Sequence, residues 1–310
     1  MLNPSLKSEE NHHPISGSLP KIFVAKKQKT IKTSMDFSGV GLHTGNKVTM
    51  SINPAPSDTG YVFRIFKKGR KISIRAHYKN VTSTNLCTMI SDSNGNSVST
   101  VEHVLSALSG LDIDNAFIDL DSNEIPVCDG SSKQFVDSIN TVGFESQSSF
   151  KKFIKILKNV EVKEGNKVAR VSPFDQTLIS CKIDYDHKCI GKQSISLLLN
   201  SKIYQSQICS SRTFGFLEDV ERLRSKGLAL GGSLKNAIVL GKDKIINDEG
   251  LRFSDEFVRH KVLDFIGDMS LSGYKMLGSF LTSSSGHSLN VKLLEKIFES
   301  PSNWELVCSN

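Results

Sequence analysis

The chain has 310 residues, of which 38% are hydrophobic, 23% charged and 7% aromatic. This composition excludes a collagen-like or wholly disordered chain, and no apolar run approaches the roughly 20 residues that a membrane-spanning helix needs. The formal charge of +7 is concentrated in residues 1–34 and 151–170, which carry +4 and +5, so the remainder carries −2. We therefore expect no nucleic-acid partner, because such proteins usually spread their cations along one face.

The chain ends and the cysteines indicate the cellular context. Residues 1–20 lack the apolar segment of a signal peptide, so we predict a disordered N-terminal tail there. A short C-terminal tail is predicted at 303–310. The six cysteines form no CxxC pair, which fits a reducing cytoplasm. We expect a cytoplasmic monomer without a transmembrane segment.

A short sequence pattern occurs twice. The tetrapeptide Gly-Asn-Lys-Val stands at 45–48 and again at 165–168, after strand-like stretches at 29–37 and 153–162. Gly-Asn between two such stretches predicts a hairpin turn, because both residues tolerate positive φ. The offset between the two copies is 120 residues.

A second pair of similar sequence strings indicates a duplicated fold. Val-Glu-His at 101–103 resembles Val-Arg-His at 258–260, with an offset of 157 residues, so the second copy contains an insertion that we place at about 211–240. We predict a βαβ-like unit there, with a helix at 217–226 and a strand at 237–240. We predict the α+β class, with two domains of like design at about 21–145 and 150–302, the second carrying the inserted unit. Ligand sites often lie between domains, so functional residues are expected from both halves.

The helix predicted to begin at Val101 carries Glu102 and His103 in its first turn. Ser99 and Glu102 have the spacing of a capping box, which would give Glu102 a purely structural role. The alternative is that His103 ligates a metal and Glu102 is a base beside it. Three protein ligands and one open position are the pattern of catalytic rather than structural zinc.

The segment 255–271 combines helical apolar spacing with three polar side chains on one face. His260, Asp264 and Asp268 stand at i, i+4 and i+8, and imidazole with carboxylate one turn apart can bind a single cation. A solvated ion pair is the structural alternative. His287 follows a run of serines and a glycine, a flexible loop from which it can project toward such a site.

Seven motifs resemble those of bacterial UDP-3-O-acyl-N-acetylglucosamine deacetylases, in the same order, from about residue 21 to about 300. They are GVGLHTG at 39–45, STVEH at 99–103, IPVCDGS at 125–131, SRTFGF at 211–216, LRF at 251–253, RHKVLD at 259–264 and SGH at 285–287. The resemblance implies zinc-dependent removal of acetate from UDP-3-O-(3-hydroxyacyl)-N-acetylglucosamine, the committed step of lipid A biosynthesis. It also implies two similar domains, each with helices layered against a β-sheet, and an active site at their junction. The insertion is expected to form an acyl-chain passage.

The resemblance implies a role for each matching residue. The zinc ligands are His103, His260 and Asp264; Glu102 is the general base, His287 the second catalytic histidine, Asp268 its orienting carboxylate, Thr213 an oxyanion donor and Lys261 a substrate contact. Residues of the insertion that are expected to line the acyl passage are Phe214, Phe216, Leu217, Val220, Ala229, Ser233 and Ala237. Ordinary core packing is the alternative for most of these.

Two other functions are compatible with parts of this pattern. One is a catalytically inactive binding protein that retains the deacetylase fold. The other is a different zinc hydrolase, such as a peptidase, but Glu102 directly before His103 does not form the H-E-x-x-H motif.

Overall fold

The structure, a computed structural model, describes residues 25–67 and 69–309. The predicted tail at 1–20 lies outside the described residues. The described residues form six α-helices layered against β-sheets, so the predicted α+β class is confirmed. No helix in the described part of the chain combines the length and the apolar character needed to cross a bilayer.

The first half is built on a five-stranded sheet. Its elements are β1 (Lys27–Ile31), β2 (Met35–Val40), β3 (Lys47–Pro54), β4 (Tyr61–Lys67), β5 (Arg70–Arg75), β6 (Val81–Ser83), β7 (Met89–Ser91), β8 (Ser97–Val98), α1 (Glu102–Gly110), β9 (Ala116–Leu120), α2 (Lys133–Val142) and β10 (Phe144–Phe150). The strand order is β2-β3-β9-β4-β5, while β1 pairs with β10 and β6–β8 form a separate small sheet.

The second half is built on a seven-stranded sheet. Its elements are β11 (Lys152–Ile156), β12 (Val160–Glu164), β13 (Lys167–Ser172), β14 (Thr177–Tyr185), β15 (Gly191–Leu198), α3 (Ser201–Gln207), β16 (Phe214–Phe216), α4 (Leu217–Ser225), β17 (Ile238–Leu240), α5 (Glu256–Ser270), β18 (Lys275–Ser283), α6 (His287–Phe298) and β19 (Trp304–Cys308). Strand β18 lies between β13 and β14, and β15 pairs with β14.

The two sheets share one topology. In the first half β9 is antiparallel to β3 and parallel to β4, and in the second half β18 is antiparallel to β13 and parallel to β14. The order β2-β3-β9-β4-β5 therefore corresponds to β12-β13-β18-β14-β15. The second Gly-Asn turn is a tight hairpin with Glu164 opposite Lys167, whereas the first ends a six-residue connection between β2 and β3.

The chain end departs from the sequence prediction. Residues 304–308 form strand β19, which pairs antiparallel with β11, and not a C-terminal tail. Their side chains are only half-buried or exposed, so they show no alternation that would mark a strand. The strand is held by its main-chain hydrogen bonds to β11. It pairs antiparallel with β11 in the same way that β10 pairs antiparallel with β1.

Helices α1 and α5 pack against each other where the two halves meet. A side chain at Gly267 would place its Cβ only 2.1 Å from the carbonyl oxygen of Glu102, so the close approach requires glycine. Thirteen of the fifteen residues of α5 are buried. Its polar side chains therefore need partners inside the protein, and a solvated ion pair is excluded for His260 and Asp264.

Candidate active site at the junction of the two halves

Three side chains from the two packed helices meet at one point. His103 comes from the first turn of α1, while His260 and Asp264 lie one turn apart on α5. The Oδ1 atom of Asp264 is 3.5 Å from Nε2 of His103 and 3.3 Å from Nε2 of His260. All three residues are at most 5% exposed, and their ligand atoms lie within 4.8 Å of one another.

The Asp264 carboxylate shows that this cluster suits a cation. Its Oδ1 atom is buried without a hydrogen-bond partner, a costly state for an anionic oxygen. Its Oδ2 atom accepts a hydrogen bond from Nζ of Lys261 at 2.9 Å. Two imidazole nitrogens and one carboxylate oxygen are a donor set that divalent transition metals bind. The group is therefore a possible metal-binding site that draws on both halves of the chain.

The surroundings of His260 keep its imidazole neutral. Burial lowers the pKa of His260 to about 3, although the nearby Asp264 carboxylate acts in the opposite direction. The Nδ1 atom lies 3.1 Å from the carbonyl oxygen of Ser211. A proton on Nδ1 that binds this carbonyl leaves the Nε2 lone pair free, which is the form of histidine that ligates a metal.

Glu102 stands beside the metal cluster and is almost completely buried. Its Oε2 atom accepts a hydrogen bond from the main-chain N–H of Thr88 at 3.0 Å. Burial raises the pKa of Glu102, although His287 and His103 act against it. The capping-box interpretation is wrong: α1 has no side-chain cap, and the Ser99 hydroxyl donates instead to the carbonyl oxygen of Asn123.

His287 lies between two carboxylates. Its Nδ1 atom is 2.9 Å from Oδ2 of Asp268, and its Nε2 atom is 3.9 Å from Oε1 of Glu102. Burial acts to lower the pKa of His287, but the charges of Asp268 and Glu102 outweigh it and raise the pKa to about 10. These carboxylates favour the protonated imidazole, which can donate a proton from Nε2.

A family profile described as "UDP-3-O-acyl N-acetylglycosamine deacetylase" matches residues 28–299. The chain belongs to this family. A relative named UDP-3-O-acyl-N-acetylglucosamine deacetylase, from Syntrophus aciditrophicus, is 48% identical over 277 residues, which are 89% of this chain and 88% of the relative. Relatives of the same name from Pseudoalteromonas atlantica and Haemophilus influenzae are 44% identical over 283 residues, 91% of this chain and 93% of each relative. The family membership predicted from the seven motifs is confirmed.

Two side chains that the sequence did not indicate hold Asp268 in this deacetylase-family site. The Thr88 hydroxyl donates to Oδ1 of Asp268 at 2.6 Å, and the Asn290 amide donates to Oδ2 at 2.9 Å. Asn290 follows His287 by three residues, so its helical spacing was a usable signal. Thr88 had none, because it is 180 residues from Asp268.

His43 is a third residue without a predicted role, although it lies in the GVGLHTG motif. Both of its ring nitrogens are buried without a hydrogen-bond partner, and burial lowers its pKa. The loop that carries His43 is fixed by Glu124, whose carboxylate accepts the main-chain N–H groups of His43 at 2.7 Å and Thr44 at 2.9 Å.

The insertion lies against the metal cluster at one end. The strand predicted at 237–240 is observed as β17, which pairs in parallel with β16. The ring of Phe214 is 6.2 Å from the ring of His260 and 5.8 Å from that of Tyr185, an aromatic partner that the sequence did not indicate. The Thr213 main chain is held by Gly130 and Ile238 at the start of this strand.

Helix α4, predicted at 217–226 and observed at Leu217–Ser225, contains no buried residue. Leu217 is 51% exposed, and Val220, Ala229 and Ala237 are only half-buried, whereas Ser233 is exposed. Ordinary core packing does not describe these positions. These side chains are accessible, which is compatible with contact to an acyl chain.

Proposed function

We propose that this chain is a zinc-dependent deacetylase that hydrolyses the N-acetyl group of UDP-3-O-(3-hydroxyacyl)-N-acetylglucosamine. The products are acetate and the free amine, and the reaction is the committed step of lipid A biosynthesis. The name of the family and of its relatives supports the substrate. The observation that carries the proposal is the buried cluster of two histidines and Asp264, with Glu102 and His287 beside it.

The residues that would hold the metal are His103, His260 and Asp264. Their nitrogen and oxygen donors suit zinc, and the unpartnered Oδ1 atom of Asp264 supplies the negative charge. When bound, zinc would supply Lewis acidity, which lowers the pKa of water and polarises a carbonyl group. Three protein ligands leave one position open for such chemistry.

Glu102 is proposed as the general base. Its Oε2 atom is occupied by the Thr88 N–H, so Oε1 remains free to accept the proton of the attacking water. The raised pKa of Glu102 makes this carboxylate a stronger base than an exposed glutamate.

His287 is proposed as the acid that protonates the leaving amine. The Asp268 carboxylate holds its Nδ1 side, which directs the Nε2 proton toward the space beside Glu102. Thr213 is proposed as a donor to the oxyanion that forms on the acetyl carbonyl. A positioned acid or base of this kind contributes roughly 10²–10⁴-fold to a rate.

The substrate is proposed to enter along the insertion. Phe214, Phe216, Leu217, Val220, Ala229, Ser233 and Ala237 are proposed to contact its acyl chain. Lys261 is the proposed contact for a polar part of the substrate; it lies 5.4 Å from the ring of Phe214 and also binds Asp264. A monomer is proposed because one chain provides both halves of the site, and a cytoplasmic location because all six cysteines are free.

The test combines metal analysis with an acetate-release assay on the purified full-length chain. We expect about one zinc per chain and acetate release from the UDP-sugar that stops after chelation and returns with zinc. A folded chain that binds the UDP-sugar without releasing acetate would instead establish the inactive binding protein. Release of an amino acid from peptides in place of acetate would establish a different hydrolase.

A further inference from the structure

Thr88 joins the two parts of the proposed proton-transfer machinery. It lies in the connection between β6 and β7 of the first half and is fully buried. Its main-chain N–H donates to Glu102, and its hydroxyl donates across the junction to Asp268 of the second half. Its carbonyl oxygen accepts the N–H of Val101 at 3.3 Å, so its main chain is tied to the beginning of α1.

We propose that Thr88 is a positioning residue that sets the place of His287 relative to Glu102. This inference rests on the proposed function. Asp268 receives three hydrogen bonds: Thr88 holds its Oδ1 atom, and His287 and Asn290 hold its Oδ2 atom. The Thr88 hydroxyl is the donor that comes from the half of the chain that carries Glu102. The Asp268 carboxylate, which orients His287, is therefore held by the same residue whose main-chain N–H holds Glu102.

The consequence is a loss of alignment when the hydroxyl is removed. Without it, Oδ1 of Asp268 loses its donor, and the carboxylate can rotate about its remaining contacts with the second half. His287 then no longer presents Nε2 at the observed 3.9 Å from Glu102. A displacement of this kind affects the chemical step more than the binding of the substrate, because Thr88 is buried behind both catalytic side chains.

Three substitutions test the role of the hydroxyl. T88V has nearly the same shape, keeps the N–H that binds Glu102, and excludes water from the space of the hydroxyl. T88A leaves room for a water that can replace the donor, and T88S retains a hydroxyl. We expect kcat to fall by up to roughly 100-fold in T88V, less in T88A, and to remain within about threefold of the wild type in T88S. KM should stay nearly unchanged throughout.

T177V is the matched control. Thr177 is also buried, and its hydroxyl donates to the carbonyl oxygen of Met276 at 2.7 Å, away from Glu102 and His287. We expect T177V to lower Tm about as much as T88V while kcat stays at the wild-type value. Zinc content should remain at one per chain in all variants, since Thr88 touches no proposed ligand.

The outcomes separate this inference from the proposed function. A wild-type kcat in T88V, or a loss in T88S as large as in T88V, would overturn the positioning role, as would loss of zinc from T88V. If T88V does not fold, the comparison of T88A with T88S decides the matter in the same way. An inactive wild-type chain overturns the proposed function, and the positioning role with it.

Discussion

Helices α1 and α5 occupy the same place in the two halves, yet they carry different chemistry. When Val-Glu-His at 101–103 is aligned with Val-Arg-His at 258–260, His103 corresponds to His260, and both point into the metal cluster. The other proposed ligand and the proposed orienting carboxylate have no counterparts in the first half. Asp264 and Asp268 of α5 correspond to Ala107 and Leu111, which are apolar and buried.

The proposed base stands in the first half and has no acidic counterpart in the second. Glu102 corresponds to Arg259, which binds the Asp255 carboxylate and the carbonyl oxygen of Gln207 instead of facing the cluster. The two halves therefore share a fold and one histidine each, while the proposed acid–base groups are divided between them. A site of this kind works only when the two helices are packed together, and the following predictions test that dependence.

The largest effect is expected from the paired histidines. We predict that H103A and H260A each lose zinc, because each removes one of three proposed ligands. Acetate release should fall by about 10³-fold or more, since a bound metal contributes several kcal/mol to the transition state. Zinc content and kcat are the measurements. Full zinc occupancy in either variant would show that the cluster is not the metal site.

The second-largest effect is expected from substitution of Glu102, and it is compared with the same substitution at Arg259, its counterpart in the other half. We predict that E102Q lowers kcat by roughly 10²–10⁴-fold while zinc content and Tm stay near the wild-type values, because the amide keeps the shape of the side chain. R259Q is the matched control, and it should change kcat by no more than a few-fold. Equal losses in the two variants would contradict the division of roles.

Gly267 and Gly110 are also equivalent, and they test the packing of the junction. An added Cβ at Gly267 would lie 2.1 Å from the main-chain oxygen of Glu102, whereas at Gly110 it would meet the ring of Tyr204 at 2.3 Å. Both G267A and G110A should lower the free energy of unfolding by about 1–3 kcal/mol. Only G267A should also lower kcat, because it displaces the base. Denaturant unfolding and kcat measure the two effects. A wild-type kcat in G267A would show that the close packing at Gly267 does not position Glu102.

The smallest effect is expected from an ion-pair cluster that also joins the two halves but contains none of the proposed metal ligands. Asp112 of the first half binds Lys151 at 2.8 Å and Lys275 at 3.3 Å. Burial acts to raise the pKa of Asp112, but these two lysines outweigh it and lower the pKa to about 2. A lowered folded-state pKa gives stability that is present above the unfolded value of about 4 and is lost as the pH falls toward 2.

D112N should therefore destabilise the protein by about 2 kcal/mol at pH 7. It should also flatten the fall in stability between about pH 5 and pH 2. Unfolding curves of both proteins across this range make the measurement. An unchanged pH dependence would show that the lysines do not stabilise the Asp112 carboxylate.

Several features of the molecule could be predicted from local signals. The hairpin at Gly165, the helix that carries His260, and the two strings that mark the duplication all depend on spacing within one segment. The motifs indicated the family. Strand β19 was missed because its side chains are too exposed to alternate, and the small sheet of β6–β8 was missed because its strands have only two or three residues.

The sequence by itself determined the fold class, the duplication, the family and the residue types that the chemistry requires. Only the tertiary structure decided which of those residues meet. His103 and His260 come together because glycine at position 267 allows two helices from different halves to touch. Thr88 reaches Asp268 for the same reason. Side-chain periodicity extends over a few turns of one helix, whereas these contacts depend on how whole elements pack.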